Sequence, residues 1–274
     1  SGGLWIMDVS KPATPVILSN LDTGGYTEGS SLFGKYAVIA DGPHGVQIAD
    51  ISNLKKPKWI SEAYNLAYAY DVVIQDGTAY VAGGGSGLFT IDLSVPKAPK
   101  EMGLIPLDGF QYDVELLGGK LYAAGAWGDV SVLDISHSFQ PVLTEIISTS
   151  GWAMALQAVG SNLLVMDGAD GAKLYDLCAQ QPQLRSTVTK GGFILAGAME
   201  NGKAFFLDKE YGMMAVDYAD PSDPKLVSRW MPALDGRRVT FNGSACYVSG
   251  GLSGMHVFDL SDWIRPAETY WYDT

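Results

Sequence analysis

The 274-residue chain is short of the side chains on which most enzyme chemistry depends. It has three histidines, His44, His137 and His256, and two cysteines, Cys178 and Cys246. The histidines fall in separate segments, and the sequence holds no His-Glu-x-x-His pair, no Gly-x-Ser-x-Gly elbow and no Cys-x-x-Cys. No enzymatic activity and no cofactor are therefore expected. Basic residues are also scarce, with 18 Lys and Arg against 30 Asp and Glu and a formal charge of -12. Phosphate backbones are bound by clustered cations, so a nucleic-acid partner is excluded and an anionic membrane surface is disfavoured. No apolar run reaches the roughly 18 residues that a spanning helix requires, so no membrane span is expected. The two cysteines lie far apart in different repeats, which argues against a bridge and for small buried hydrophobes.

What the chain has in abundance is repetition. An apolar segment ending in Asp, with a proline four to seven positions on, occurs seven times, at Asp8, Asp50, Asp92, Asp134, Asp176, Asp217 and Asp259. A near-constant period of this length marks one supersecondary unit repeated in an array. Residues 70–106 give the unit in full. Asp71-Val-Val-Ile-Gln75 and Thr78-Ala-Tyr-Val-Ala82 flank Asp76-Gly77, a pair that tolerates the left-handed angles of a tight hairpin. A Gly-rich turn leads to Leu88-Phe-Thr-Ile-Asp92, and after Pro96 and Pro99 the segment 100–105 reads as a fourth strand. Four short antiparallel strands joined by glycine turns form the blade of a β-propeller. The expected fold is all-β, one propeller domain over 1–274 with seven repeat positions: six complete blades over 23–274 and an N-terminal two-stranded half-blade over 1–22.

The phrases Gly45-Val-Gln-Ile-Ala-Asp-Ile-Ser52, Gly87-Leu-Phe-Thr-Ile-Asp-Leu-Ser94 and Gly212-Met-Met-Ala-Val-Asp-Tyr218, with their following prolines, resemble the LVIVD repeat family. The resemblance runs over essentially the whole chain. It implies a propeller and a place at the surface of, or outside, a prokaryotic cell. It implies no reaction, because propellers host unrelated functions.

The N-terminal unit has only the third and fourth strands, Leu4-Trp-Ile-Met-Asp8 and Pro15-Val-Ile-Leu-Ser19. Three expectations follow from the missing inner pair. Another polypeptide, or another copy of this one, supplies it; or six blades close alone and leave the hairpin free to join a neighbour's sheet; or the pair lies in a longer precursor. A used edge points to a structural role, a subunit that assembles head to tail into a homopolymer by strand complementation at its termini. The expected contacts are Leu4, Trp5, Ile6 and Met7 at one end and Tyr270, Trp271 and Tyr272 at the other, with self, or a protein supplying the strands, as partner.

Two further sets recur with the period. The seven Asp residues each precede a turn, where a carboxylate accepts backbone N–H groups, and they read as turn formers with no shared metal. Tyr26, Tyr68, Phe110, Trp152 and Phe193 recur at the entry to the inner strand, and the sixth unit has Asp235 there, followed by Arg237 and Arg238. Two readings remain for this circle: packing between blades, or an aromatic-lined face that recognises carbohydrate or a partner protein, with the arginines as its polar side. Asp167 and Asp170 share a Gly-rich turn but lack the ligand ladder of a calcium loop, so no metal site is expected. Glu28, Asp71 and Asp113 stand near the starts of inner strands, where acids from different blades could meet.

Overall fold

A computed structural model describes residues 3–12, 14–63, 68–179, 181–188, 192–230, 236–249 and 254–272. The fold is an all-β propeller of six four-stranded antiparallel blades preceded by a two-stranded sheet, with no helix among the described residues. The two-stranded sheet pairs β1 (Leu4–Asp8) with β2 (Val16–Leu21). The first blade is β3 (Gly29–Phe33), β4 (Tyr36–Ala40), β5 (Val46–Asp50) and β6 (Lys58–Ala63). The second is β7 (Asp71–Gln75), β8 (Thr78–Ala82), β9 (Leu88–Asp92) and β10 (Lys100–Ile105), and the third β11 (Gln111–Leu117), β12 (Lys120–Gly125), β13 (Asp129–Asp134) and β14 (Val142–Ser148). The fourth is β15 (Ala155–Val159), β16 (Asn162–Met166), β17 (Ala172–Asp176) and β18 (Gln183–Val188). The fifth is β19 (Ile194–Glu200), β20 (Lys203–Asp208), β21 (Gly212–Asp217) and β22 (Lys225–Trp230), and the sixth β23 (Arg238–Asn242), β24 (Ala245–Ser249), β25 (Met255–Asp259) and β26 (Ala267–Tyr272).

Each blade is a meander in sequence order. The second and third strands are buried on both faces and read as nearly continuous apolar runs, such as Tyr36-Ala-Val-Ile-Ala40 and Leu88-Phe-Thr-Ile-Asp92. The inner hairpin of the second blade turns on Asp76 and Gly77, both at positive φ (50° and 80°), the combination that matches strand twist in a two-residue turn. In all six blades the register slips once between the third and fourth strands, as between Ile48 and Ala49 or Val257 and Phe258. Such a bulge bends the outer strand and sharpens its twist just after the proline has interrupted the ladder.

The chain forms two compact units, one of Ser1–Asp8 with Ile17–Ser148 and one of Val9–Val16 with Thr149–Thr274. In the first unit, blades pack through small apolar side chains: Val46 and Ala63 of one blade meet Ala79, Val81 and Ile91 of the next. Leu4 and Leu21 meet Ala37, Ile39 and Ala49 in the same way, which seats the half-blade on the first full blade as that blade sits on the second. A hydroxyl bond repeats as well: Ser61 donates to the Pro96 carbonyl at 2.5 Å, and Ser19 of β2 to the Leu54 carbonyl at 2.6 Å. In the second unit Gln157 of one inner strand bonds both the N–H and the carbonyl of Met199 on the next, at 2.6 and 3.2 Å.

Candidate functional site

The motif Asp residues of the six complete blades accept the backbone N–H two positions on. Asp50, Asp92, Asp134, Asp176, Asp217 and Asp259 bond Ser52, Ser94, Ser136, Cys178, Ala219 and Ser261 at 2.7–2.9 Å. Asp8 stands at the same place at the end of β1. The donated N–H holds the Asp92 and Asp134 carboxyls below their ordinary value. Lys35, 2.8 Å from Asp50, is the first cause of a deeper depression there, with Ser52 next. These acids shape the exit from the third strand, each in its own blade.

The periodic aromatics divide. Tyr68 stacks on Tyr70 with ring centres 4.3 Å apart, and Phe110 packs edge-on to Tyr70 at 5.1 Å, with Tyr112 alongside both. In the second unit Trp152 meets Phe193 edge-on at 6.2 Å. The rings pack over a glycine of the preceding blade. A Cβ on Gly84 (φ 57°) would lie 2.8 Å from Tyr70 and 2.9 Å from Phe110, and one on Gly168 (φ 57°) would lie 2.9 Å from Phe193. Beneath them, two backbone bonds join Gly84 to Gln111 and one joins Ile194 to Gly168. Aromatic and glycine thus form a seam between neighbouring blades within each unit. Tyr26, at 67 % exposure, and Trp152, at 47 %, still present their rings to solvent. Arg237 and Arg238 are exposed at the start of β23, whereas Asp235 lies outside the described residues.

A feature the sequence reading missed holds several of these rings in place. Asp41, Asp167 and Asp208, at the ends of second strands, are buried against the glycine that precedes an aromatic: Gly25 before Tyr26, Gly151 before Trp152 and Gly192 before Phe193. Asp167 accepts the Gly151 N–H at 3.2 Å and the Thr149 hydroxyl at 2.7 Å. Burial pushes both the Asp41 and the Asp167 carboxyls up, against the pull of their hydrogen bonds. In the fourth blade the buried Lys173 ammonium bonds Asp167 and the Thr149 carbonyl and lies 3.5 Å from Asp170. The two acids of that glycine-rich turn are therefore matched to a lysine of the strand that follows it. In the first blade Gln47 replaces the lysine and donates to the Thr23 carbonyl at 2.8 Å, while His44 Nδ1 lies 3.6 Å from Asp41. Asp41-Gly42 and Asp167-Gly168 stand 126 residues apart, three repeat lengths, so the two turns correspond in the sequence; the burial of their acids against the ring-bearing segment was not legible there.

Trp127 also went unnoticed. It sits in the turn between β12 and β13 at φ 78°, a region that bulky side chains rarely adopt, with 73 % of its surface exposed.

Each histidine has a polar neighbour of its own. His44 neighbours Asp41, His137 neighbours Ser136, and His256 bonds Glu268 at 2.6 Å. In the first unit Glu28 accepts the Tyr68 hydroxyl at 3.1 Å, and Asp71 accepts the Val114 N–H at 3.3 Å, which ties one inner strand to the next. No group of three or more His, Cys, Asp or Glu suited to a metal occurs among the described residues.

At the chain ends, Leu4, Trp5, Ile6 and Met7 are only half-buried in β1, and Leu4 packs on the first blade. Tyr270 and Tyr272 stack at 4.6 Å, and Trp271 is 54 % exposed. The Tyr272 hydroxyl donates to the Pro15 carbonyl and that of Tyr247 to Pro12 at 3.0 Å, so Tyr272 engages the 12–15 segment of its own chain.

Solved structures with this fold are remote in sequence. A protein from Lactobacillus plantarum matches with a TM-score of 0.80 at 9 % identity, covering 98 % of this chain and 91 % of the other. A functionally unknown protein from Desulfotomaculum acetoxidans DSM 771 matches at 0.75 and 13 % identity, over 89 % and 86 %. The computationally designed Ika8 protein matches at 0.65 and 10 % identity, over 85 % and 71 %. At these identities the likeness speaks for the fold alone. No curated protein matches the chain. Residues 1–23, 24–64, 67–105 and 108–149 each match the LVIVD repeat, together more than half of the sequence, and the chain belongs to the LVIVD-repeat family.

Proposed function

We propose that this chain is a non-enzymatic structural subunit of an extracellular or cell-surface assembly, joined to copies of itself by strand complementation at its terminal half-blade. One observation carries the reading. The third strands of the complete blades are almost entirely buried before their final Asp, whereas Leu4–Met7 of β1 are only half-covered. A half-covered apolar edge strand is an aggregation hazard unless something pairs with it. The charge of -12 opposes contact between copies, so assembly should strengthen as salt screens the repulsion. Sedimentation velocity across a concentration and salt series tests this. Larger species are expected to form with rising concentration and to disappear when residues 1–19 are removed. A full chain that remains monomeric at millimolar concentration and high salt would overturn the proposal.

Trp127 favours a second reading, a face that stacks on a flat ligand such as a sugar ring. Its left-handed backbone costs about 1–2 kcal/mol, and the exposed ring gains little packing in return. Such strain at an exposed aromatic is characteristic of a ligand clamp. Trp127→Gly should therefore raise stability by about 1 kcal/mol while weakening retention on a glycan surface, with sedimentation unchanged. Equal retention by both proteins would remove this reading.

A further inference from the structure

We infer that the first blade binds a monovalent cation of ammonium size, potassium or ammonium itself, beside Asp41 Oδ2 and Gln47 Oε1, at the place that the Lys173 ammonium fills in the fourth blade. The inference does not depend on self-association.

The two blades carry the same frame. Thr23, Gly25, Asp41, His44 and Gln47 stand 126 residues before Thr149, Gly151, Asp167, Asp170 and Lys173. In both blades the buried acid accepts a threonine hydroxyl at 2.7 Å and packs against the glycine that leads into an aromatic. The ammonium of the fourth blade serves two acceptors, Asp167 Oδ2 and the Thr149 carbonyl. Gln47 serves only the second of these in the first blade. Its Nε2 donates to the Thr23 carbonyl at 2.8 Å, and because a carbonyl can only accept, that bond fixes which end of the amide is Oε1. The acid's share is not taken over. Asp41 Oδ2 and Gln47 Oε1 are buried, and neither has a hydrogen-bond partner among the described residues. His44 Nδ1, 3.6 Å from Oδ2, lies beyond hydrogen-bond reach.

In the second, third and fifth blades this position either lacks the acid or satisfies it. Asp208 accepts the Glu210 and Tyr211 N–H groups at 2.8 and 2.9 Å. The second blade has Gly83 there, with Phe89 at the lysine position filling the space beside it, and the third has Gly125. Asp41 is thus the one buried acid of the set, among the described residues, with an oxygen left over. A buried carboxylate oxygen and a buried amide oxygen without donors are costly. Both side chains are anchored on Thr23, one through its hydroxyl and the other through its carbonyl, so their remaining oxygens lie close to one residue. Oxygen ligands around a single negative charge suit a hard ion with a single positive charge, whereas calcium sites gather several carboxylates. The place is also reachable. Asp170 is 44 % exposed yet lies 3.5 Å from the Lys173 ammonium, and His44 stands at the same point of the first blade's turn, so an ion enters past the imidazole.

The thermal midpoint of the full chain, measured at constant ionic strength in the chlorides of ammonium, potassium and tetramethylammonium, is the test. Ammonium and potassium are expected to raise the midpoint over tetramethylammonium, which is too large for the site, by about 3 °C at about tenfold the dissociation constant. Hydrogen exchange should slow with them at Gly25, which packs on Asp41. Gln47→Lys supplies the ammonium covalently, so that variant should have the higher midpoint in tetramethylammonium and no response to either small cation. Should it fold poorly, isotope-labelled ammonium bound to the wild-type chain decides the matter, with nuclear Overhauser contacts expected to the Thr23 and Gln47 side chains. Equal midpoints in all three salts would mean that water serves the two oxygens and would overturn the inference. A response that survives in Gln47→Lys would do the same by placing the ion elsewhere, as would a larger response to calcium than to potassium. A wild-type chain indifferent to cations whose His44→Gln variant responds would assign the counter-charge to the imidazole, which also overturns it.

Discussion

Replacing Lys173 with methionine is expected to destabilise the protein by about 3–5 kcal/mol at neutral pH, because it leaves the buried Asp167 carboxylate without its counter-charge. Asp167 is fully buried and Lys173 nearly so. The ammonium also satisfies the Thr149 carbonyl, so its loss strands a second acceptor. The pH dependence has a definite sign. Burial already raises the Asp167 carboxyl above its ordinary 3.8, and Lys173 is the largest of the influences pulling it back. A carboxyl raised in the folded state favours folding below its unfolded value, and that contribution is lost as pH rises through the folded value. Without Lys173 the folded value climbs further, so the penalty should be large at neutral pH and shrink as pH falls, vanishing once the folded acid is protonated with or without the lysine. Urea unfolding at several pH values measures this. Asp167→Asn added to Lys173→Met removes the stranded charge and should recover most of the loss; a double variant no better than the single one would show that lysine packing, rather than charge, was responsible. The first blade shows the alternative already at work, with Gln47 at the lysine position and an imidazole, His44, beside the acid.

The same pair shows where sequence reading reached its limit. The periodic Asp and the proline that follows it, the Asp76-Gly77 turn and the apolar runs between them led to six four-stranded blades and a half-blade, because strand period, turn chemistry and repeat length all constrain the same backbone. Blade-to-blade packing was harder. Phe110 and Phe193 were visible as a periodic set, but whether they faced a ligand or a neighbouring blade depended on Gly84 and Gly168, glycines distant in sequence whose missing side chains admit the rings. Lys173 was hidden for another reason: a lysine in an apolar strand reads as an edge residue until its acid is found six positions earlier in the turn. Trp127 was one more aromatic among thirty, and only its positive φ sets it apart. Positions decided within one strand could be read, whereas those decided by contacts across the array could not.

Phe205→Ala should cost about 3–5 kcal/mol, the largest loss expected from a single apolar side chain here. The ring is completely buried and contacts Trp230, Phe241 and Trp263 with centres 5.6, 5.6 and 6.4 Å away. It belongs to a cluster that joins the fifth blade to the sixth through Leu207, Met213, Cys246, Val248 and Phe258. Its neighbour Phe206 points to the opposite face of β20 and joins the fourth and fifth blades through Leu164, Met166 and Leu174. The two variants should therefore differ in where they loosen the protein. Contacts in a repeat array run between nearest neighbours, so a cavity at Phe205 weakens the grip on the sixth blade first. Hydrogen exchange in Phe205→Ala should accelerate most at β24 and β25, and in Phe206→Ala at β16 and β17. The rings around Phe205 are large and held by one another, so the cavity should collapse little and the cost should lie in the upper part of the range. A loss below about 1 kcal/mol would mean that Trp230 and Trp263 repack into the space, as only a loosely filled core allows. Uniform acceleration across β16, β17, β24 and β25 would mean that the second unit opens as one cooperative body, with no weak seam between its blades.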